Sequence, residues 1–326
     1  MSTSTTTISW CDRTWNPIRG CTIVSPGCTN CYAMRQAHRF SGPGQPFEGL
    51  TRMTEHGPVW TGQVRVVPDA LEEPLKWRKS QKVFVNSMSD LFHESVPDDF
   101  LDRVFAVMAL AKEHTFQILT KRPGRMLTYL AGDFVSKLAG WACAAVRFDA
   151  WKAPTICEAA WPLSNVWLGV SVENQATADE RIPILLQTPA AVRFLSVEPL
   201  LGAIDLSCVE LPAKYNLSPS CPGRIDALRA DNEDRFYTGH RTIDWVIVGG
   251  ESGPAARPCN IDWIRDIVRQ CKAASISVFV KQIGSHPIHL PNAVTDGPYH
   301  VRDRKGGDPD EWPGDLRVRE YPRTTR

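Results

Sequence analysis

The chain has 326 residues, enough for one large domain or two ordinary ones, and 43% of them are apolar against 22% charged, the mix of a globular protein with a sizeable core. Thirty-seven Lys and Arg face 36 Asp and Glu, a formal net charge of +1 that argues against a basic nucleic-acid coat protein or an acidic tail protein but leaves room for a local basic cleft. No run of about 18 apolar residues is present to span a bilayer, and the polar residues 1–7 lack the apolar core of a signal peptide, so the expected compartment is a reducing cytoplasm.

The ten cysteines are therefore expected to be thiols rather than a disulfide scaffold. The first element in the chain is a loop that carries three of them, Cys21, Cys28 and Cys31, within eleven residues. Six residues separate the first two and two separate the last two. Thiolates two residues apart can hold one metal or one cluster without strain, and Gly20, Pro26 and Gly27 turn the loop tightly. A structural zinc site wants four ligands, for which Cys11 and His38 are the candidates. An iron–sulfur cluster held by three cysteines instead leaves one iron open to a small molecule. Three buried thiols with no metal are the alternative, and they suit a helix or strand face better than a Gly/Pro loop.

Residues 71–79 are a candidate helix weakened by Pro74. Residues 83–87 form the first of six short runs rich in Val, Ile, Leu or Phe and apolar on both faces; the others are 116–120, 166–172, 192–197, 245–249 and 278–281. That pattern predicts parallel strands covered on both sides. Residues 98–112 place Phe100, Leu101, Val104, Phe105 and Met108 on one helical face behind Asp98 and Asp99. Asn260 caps a further predicted helix with a stripe of Ile261, Ile264, Val268 and Cys271. Alternating strands and helices predict an α/β fold with a parallel sheet. Two insertions interrupt it, at about 131–165 with Trp141, Trp151 and Trp161, and at about 207–243; an irregular extension, 285–326, comes after the last strand. The remaining cysteines, Cys143, Cys157, Cys208, Cys221, Cys259 and Cys271, form no tight ligand pair, with Cys208 and Cys221 flanking a Pro-rich stretch.

Polar residues stand just beyond every predicted strand. Ser87, Ser89 and Asp90 come after the first, and Lys121 and Arg122 after the second. Ser171, Glu173 and Asn174 end the third, and Ser196 and Glu198 the fourth. Glu251 lies beyond Gly249 and Gly250 of the fifth, and Lys281 and Gln282 end the sixth. The carboxyl ends of parallel strands carry the active site in α/β barrels; the alternative is that strand ends are polar because loops are wet.

Several stretches resemble one family: residues 8–17 (ISWCDRTWNP), the three-cysteine loop, 85–92 (VNSMSDLF), 119–123 (LTKRP), 169–174 (GVSVEN), 195–200 (LSVEPL), 249–253 (GGESG), 280–282 (VKQ) and 306–313 (GGDPDEWP). They look like the phage and bacterial three-cysteine-motif proteins, a family similar to radical S-adenosylmethionine (radical SAM) enzymes. The resemblance runs nearly end to end outside the two insertions. It implies a single partial (β/α) barrel of radical SAM type over residues 1–326. It also implies a 4Fe–4S cluster on Cys21, Cys28 and Cys31, with S-adenosylmethionine on the fourth iron. One-electron reduction would release a 5′-deoxyadenosyl radical that abstracts hydrogen from substrate. The commonest radical SAM loop has three residues between its first two cysteines, where this one has six, and Asn30 rather than an aromatic precedes Cys31.

The resemblance also distributes roles. Ser87, Ser89 and Asp90 would hold the amino group of S-adenosylmethionine, and Lys121 and Arg122 its carboxylate or a substrate anion. Ser171, Glu173, Asn174 and Ser196 would face ribose, while Glu198, Glu251 and Lys281 would serve catalysis or anchor substrate. The implied partners are an external one-electron reductant and DNA or a modified nucleotide, with no membrane. The implied reaction is hydrogen abstraction from a nucleobase, such as rearrangement of an amino-acid-modified thymine in phage DNA. Arg13, Arg19, Arg35, Arg39 and Arg52 against Asp12, Glu48 and Glu55 make the first sixty residues locally basic, and Arg302, Arg304 and Lys305 could touch phosphates. Trp151, Trp161 and Tyr237 could stack on bases. The alternatives are a radical SAM enzyme acting on a peptide or small metabolite, and a non-enzymatic binding module with zinc on Cys11, Cys21, Cys28 and Cys31.

Overall fold

The computed structural model describes residues 6–211, 223–229, 241–289 and 301–322. The chain divides into two compact units: Met1–Leu168 with Thr188–Ala191, and Gly169–Gln187 with Val192–Arg326.

In the first unit, strands β1 (Arg13–Trp15), β2 (Lys82–Val85) and β3 (Thr115–Thr120) run parallel, with Trp15 beside Val85 and Val83 beside Phe116. Val83, Phe84, Val85, Phe116 and Ile118 are all buried, as their unbroken apolar runs require. Helix α1 (Tyr32–His38) comes directly after the cysteine loop, and an antiparallel hairpin, Thr51–Thr54 with Gly57–Trp60, lies against it. Ala33, Met34, Ala37, Phe47, Leu50, Trp60 and Met88 form a small apolar core there, with Cys21 and Cys31 packed on it.

Helix α2 (Asp98–Leu110) buries Phe100, Leu101, Val104, Phe105 and Met108, and Asp98 and Asp99 in its first turn favour the positive end of the helix. Helix α3 (Pro123–Leu130) opens on proline, whose missing N–H costs nothing at that position. Helix α4 (Phe134–Ala145) is capped by Asp133, which accepts from the Val135 and Ser136 amides. The three helices share one buried chain: Trp141 donates to the Tyr129 hydroxyl at 3.0 Å, which donates to Asp102 at 2.7 Å.

The second unit contains most of β4 (Val166–Ser171), then β5 (Val192–Val197), β6 (Trp245–Gly249) and β7 (Ser277–Gln282). β5, β6 and β7 are parallel, with Trp245 between Phe194 and Ser277. A Cβ on Gly169 would stand 2.6 Å from the Phe194 ring, so only glycine lets these strands approach. Helix α5 (Gln175–Gln187) comes after β4, and helix α6 (Ile261–Ala273) is capped by Asn260 and buries Ile261, Ile264, Ile267, Val268 and Cys271. Residues 301–322 cover the edge of β7: the Val280 amide donates to Val318 and the Glu320 amide to Val278.

Within each unit the strands lie side by side in chain order and run parallel, β1 to β3 in the first and β5 to β7 in the second, so the fold is α/β with parallel sheet, as expected. All six predicted strands form. The seventh, β1, is only three residues long, too short for a periodic signal. Two expectations are corrected. Residues 71–79 make no α-helix; short turns at Pro68–Ala70 and Pro74–Lys76 stand there because Pro74 has no N–H to continue one. Residues 131–165, expected as an insertion with no element of its own, hold α4 and a 3₁₀ segment, Ala153–Glu158, over much of the stretch. Trp141 and Trp161 pack together at 5.5 Å, while Trp151 is 94% exposed. Tyr237, Cys221 and much of 207–243 lie outside the described residues. Among the described residues, no helix is long and apolar enough to cross a membrane.

Candidate functional site

Gly20 sets the start of the cysteine loop. Its φ is +89°, a Cβ there would sit 2.2 Å from the Gln63 carbonyl oxygen, and it pairs with Ser89 beyond the end of β2. The chain then turns through Pro26–Cys28, where the Cys28 amide donates to the Ser25 carbonyl at 2.9 Å. The Cys31 amide donates to the Cys28 carbonyl at 3.2 Å, and α1 begins at the next residue. The loop thus brings all three thiols to one end of the strands.

Cys21, Cys28 and Cys31 are free and partly exposed. Burial pushes the Cys21 thiol up to about 12, with the Asp90 carboxylate adding to the rise and Arg122 opposing it. Burial also raises Cys31, opposed by the Ala33 and Met34 amides and by the Lys121 ammonium. The charges of Cys28 and Cys31 act on Cys21 as well, so the three sulfurs share one electrostatic environment.

Cys11 stands elsewhere. It precedes β1, and its neighbour Asp12 donates its amide to the Lys82 carbonyl at the start of β2, whereas Gly20 pairs with Ser89 beyond the end of that strand. At about 3.3 Å per residue, the length of β2 separates Cys11 from the loop by roughly 10 Å or more. The Cys11 thiol turns to the Ile8 carbonyl. His38, the other candidate fourth ligand, bonds Thr51 at 3.1 Å. Among the described residues, no three His, Cys, Asp or Glu side chains converge as ligands of a single ion.

Beside Cys21 lies a buried polar network. The Asp90 carboxylate accepts from the Phe92 amide, the Thr120 hydroxyl at 2.7 Å, the Lys121 amide and Arg122 Nη1 at 3.0 Å. Four donors occupy its acceptor directions, so this carboxylate is spent on the fold rather than open to a ligand ammonium. Arg122 Nε reaches both Glu94 oxygens at 3.1 and 3.0 Å, and Nη2 donates to the Thr22 hydroxyl. Ser87 donates to Asn16 at 3.2 Å, and Ser89 to the Ile18 carbonyl at 2.9 Å. Both serines therefore fix the loop after β2 against the segment that enters the cysteine loop.

In the second unit, Lys281 Nζ lies 3.0 Å from Glu198 Oε1, a charge contact without the alignment of a hydrogen bond. Ser196 donates to the other Glu198 oxygen at 3.4 Å, and a Cβ on Gly249 would come within 3.0 Å of Glu198. Both members of the pair keep some exposure, 25% and 13%. The remaining strand-end residues are tied up. Glu173 is fully buried on Arg181 at 3.2 Å, and Arg181 also donates to the Ser171 carbonyl. The Asn174 side chain accepts from the Thr177 amide and so caps the start of α5. Glu251 is clamped by Arg257 through Nε and Nη2.

The structure thus gathers Cys21, Cys28, Cys31, Asp90, Lys121 and Arg122 in the first unit, and Ser196, Glu198 and Lys281 in the second. Sequence reasoning missed Thr22, His93, Glu94 and Thr120. Thr22 and Thr120 lie inside quoted motifs and His93 and Glu94 just beyond one, but only tertiary contact reveals their roles.

A family model described as "Protein of unknown function (DUF5131)" matches residues 5–307, nearly the whole chain. No curated protein and no solved structure matches it.

Proposed function

The chain belongs to the DUF5131 family, and we propose that it is a radical S-adenosylmethionine enzyme, a partial (β/α) barrel that abstracts hydrogen from a nucleobase-type substrate. One observation carries the reading: Cys21, Cys28 and Cys31 share one loop with free thiols beside a buried Asp90–Arg122 pair, while Cys11 lies at the other end of the strands. The donor set fits a 4Fe–4S cluster. It is all sulfur, it numbers three, Cys21 and Cys31 pack on an apolar core, and Lys121 and Arg122 offset the charge of thiolates. A cluster spreads its cysteines over different irons, so its thiolates need not converge on one point as zinc ligands do.

Cys21, Cys28 and Cys31 would hold the cluster, which with S-adenosylmethionine would supply one-electron reductive chemistry for hydrogen abstraction from the substrate. The chain's own residues do the rest. Cys21 and Cys31 hold their protons firmly at neutral pH, so loading releases protons and is favoured by raising pH. Lys121 places its charge beside Cys31, and Arg122 is engaged by the Glu94 and Asp90 carboxylates. Lys281 beside Glu198 can hold or move a proton at Nζ, and an external one-electron reductant completes the system.

For the substrate we favour an amino-acid-modified thymine in phage-type DNA, with a glycyl attachment moved from nitrogen to carbon. DNA demands a flipped or single-stranded base. Arg39 and Arg52, both exposed, provide phosphate contacts in the first unit. Anaerobic reconstitution tests the cofactor. A brown protein with about four iron and four sulfide per chain is expected, and a colourless protein with one zinc contradicts the reading. Affinity for modified DNA that falls as salt rises supports the substrate class, and turnover of a peptide or metabolite with no DNA binding overturns it.

A further inference from the structure

We infer that Arg122 is a positioning residue for the cysteine loop, aimed at the Cys21 sulfur so that a cluster held there accepts an electron more readily; the inference rests on the cluster reading above. Arg122 Nη1 stands 3.8 Å from Cys21 Sγ, within reach of an N–H···S bond, and each of its three nitrogens has a partner. Nη1 also meets Asp90, Nε meets both oxygens of Glu94, and Nη2 meets Thr22, the residue after Cys21. The partners are themselves held. Asp90 is fixed by Thr120 and two backbone amides, and the Thr22 hydroxyl is shared with His93 Nε2 at 3.1 Å. Arg122 and Asp90 are each only 6% exposed.

The position of Arg122 in the chain produces this geometry. It is the second of the two residues between β3 and α3 and the one from which α3 starts, so both flanking elements fix its backbone. A planar fork can serve a carboxylate, a second carboxylate and a sulfur at once, which a lysine cannot. Hydrogen bonds to ligating sulfurs are one of the determinants of cluster potential: an N–H on the sulfur draws electron density and stabilises the added electron. Burial strengthens the effect because water does not screen it. The Asp90 carboxylate pulls the other way at Cys21, and Glu94 draws on the same guanidinium, so the arginine is the group of the triad that favours reduction.

The test is a redox titration of the anaerobically reconstituted protein, followed by the electron paramagnetic resonance of the reduced cluster, with iron counted in every sample. R122M and R122K are compared with wild type. With full iron content, R122M is expected to lower the equilibrium for reduction at least tenfold, a shift of 59 mV to more negative potential for one electron, and R122K by less. E94Q removes a carboxylate that is two-thirds exposed and is expected to shift the potential the opposite way, upward. A purely structural role would not produce opposed shifts. Unchanged potentials in loaded R122K and E94Q overturn the inference even if R122M fails to fold. A wild-type protein that takes up no cluster overturns the cluster reading itself, a distinct result.

Discussion

Glu173 illustrates how one contact decides a residue's role. Its carboxylate is fully buried against Arg181, whose guanidinium also holds the Ser171 carbonyl, so it organises the end of β4 rather than greeting a ligand. Removing one partner of such a pair leaves the other charge buried and uncompensated. R181M is expected to cost about 3–5 kcal/mol, read as a lower denaturant midpoint; an effect under about 1 kcal/mol would match an exposed pair and refute this role. His93 makes a different prediction. Its Nδ1 accepts from the Ser95 amide, so Nε2 carries the proton that bonds Thr22. Burial and then Arg122 hold its pKa below the ordinary 6.5. The unfolded chain therefore binds a proton first as pH falls, and stability drops from about pH 6.5 downward until the folded value is passed. H93Q is expected to flatten that part of the wild-type curve in metal-free protein, and identical slopes for the two would contradict it.

At the scale of elements, the cysteine loop depends on its first residue. Gly20 sits at φ +89° against the Gln63 carbonyl, and its pairing with Ser89 ties the loop to the segment that carries Asp90. G20A costs about 1–2 kcal/mol from the left-handed backbone alone, and the Cβ must also push Gln63 away. Iron uptake is expected to fall by at least half while far-ultraviolet circular dichroism keeps its wild-type helical signal; full uptake would show that the loop tolerates the displacement. Helices α2, α3 and α4 form a separate system, joined by the Asp102–Tyr129–Trp141 chain. The sequence pattern does not reveal that system, because Trp, Cys and Gly in α4 blur its period and the region reads as an insertion.

For the molecule as a whole, the parallel sheet was legible because its strands are apolar on both faces, a pattern that few other structures share. β1 was not, since three residues carry no periodicity. The cysteine loop was legible from spacing alone, but the status of Cys11 was not: sequence distance could not tell that the two ends of β2 separate it from Cys21. Nor could it join Thr22, Asp90, Glu94 and Arg122, which span a hundred residues and meet only in the fold. Near-neutral charge likewise gave no substrate. The central claim is that the three-cysteine loop supports reductive cleavage of S-adenosylmethionine, and production of 5′-deoxyadenosine measures it. Anaerobically reconstituted protein, given S-adenosylmethionine and dithionite, is expected to form 5′-deoxyadenosine, and the C28S variant is expected to form none above background. No 5′-deoxyadenosine from iron-loaded wild-type protein, or equal amounts from C28S, would contradict the account.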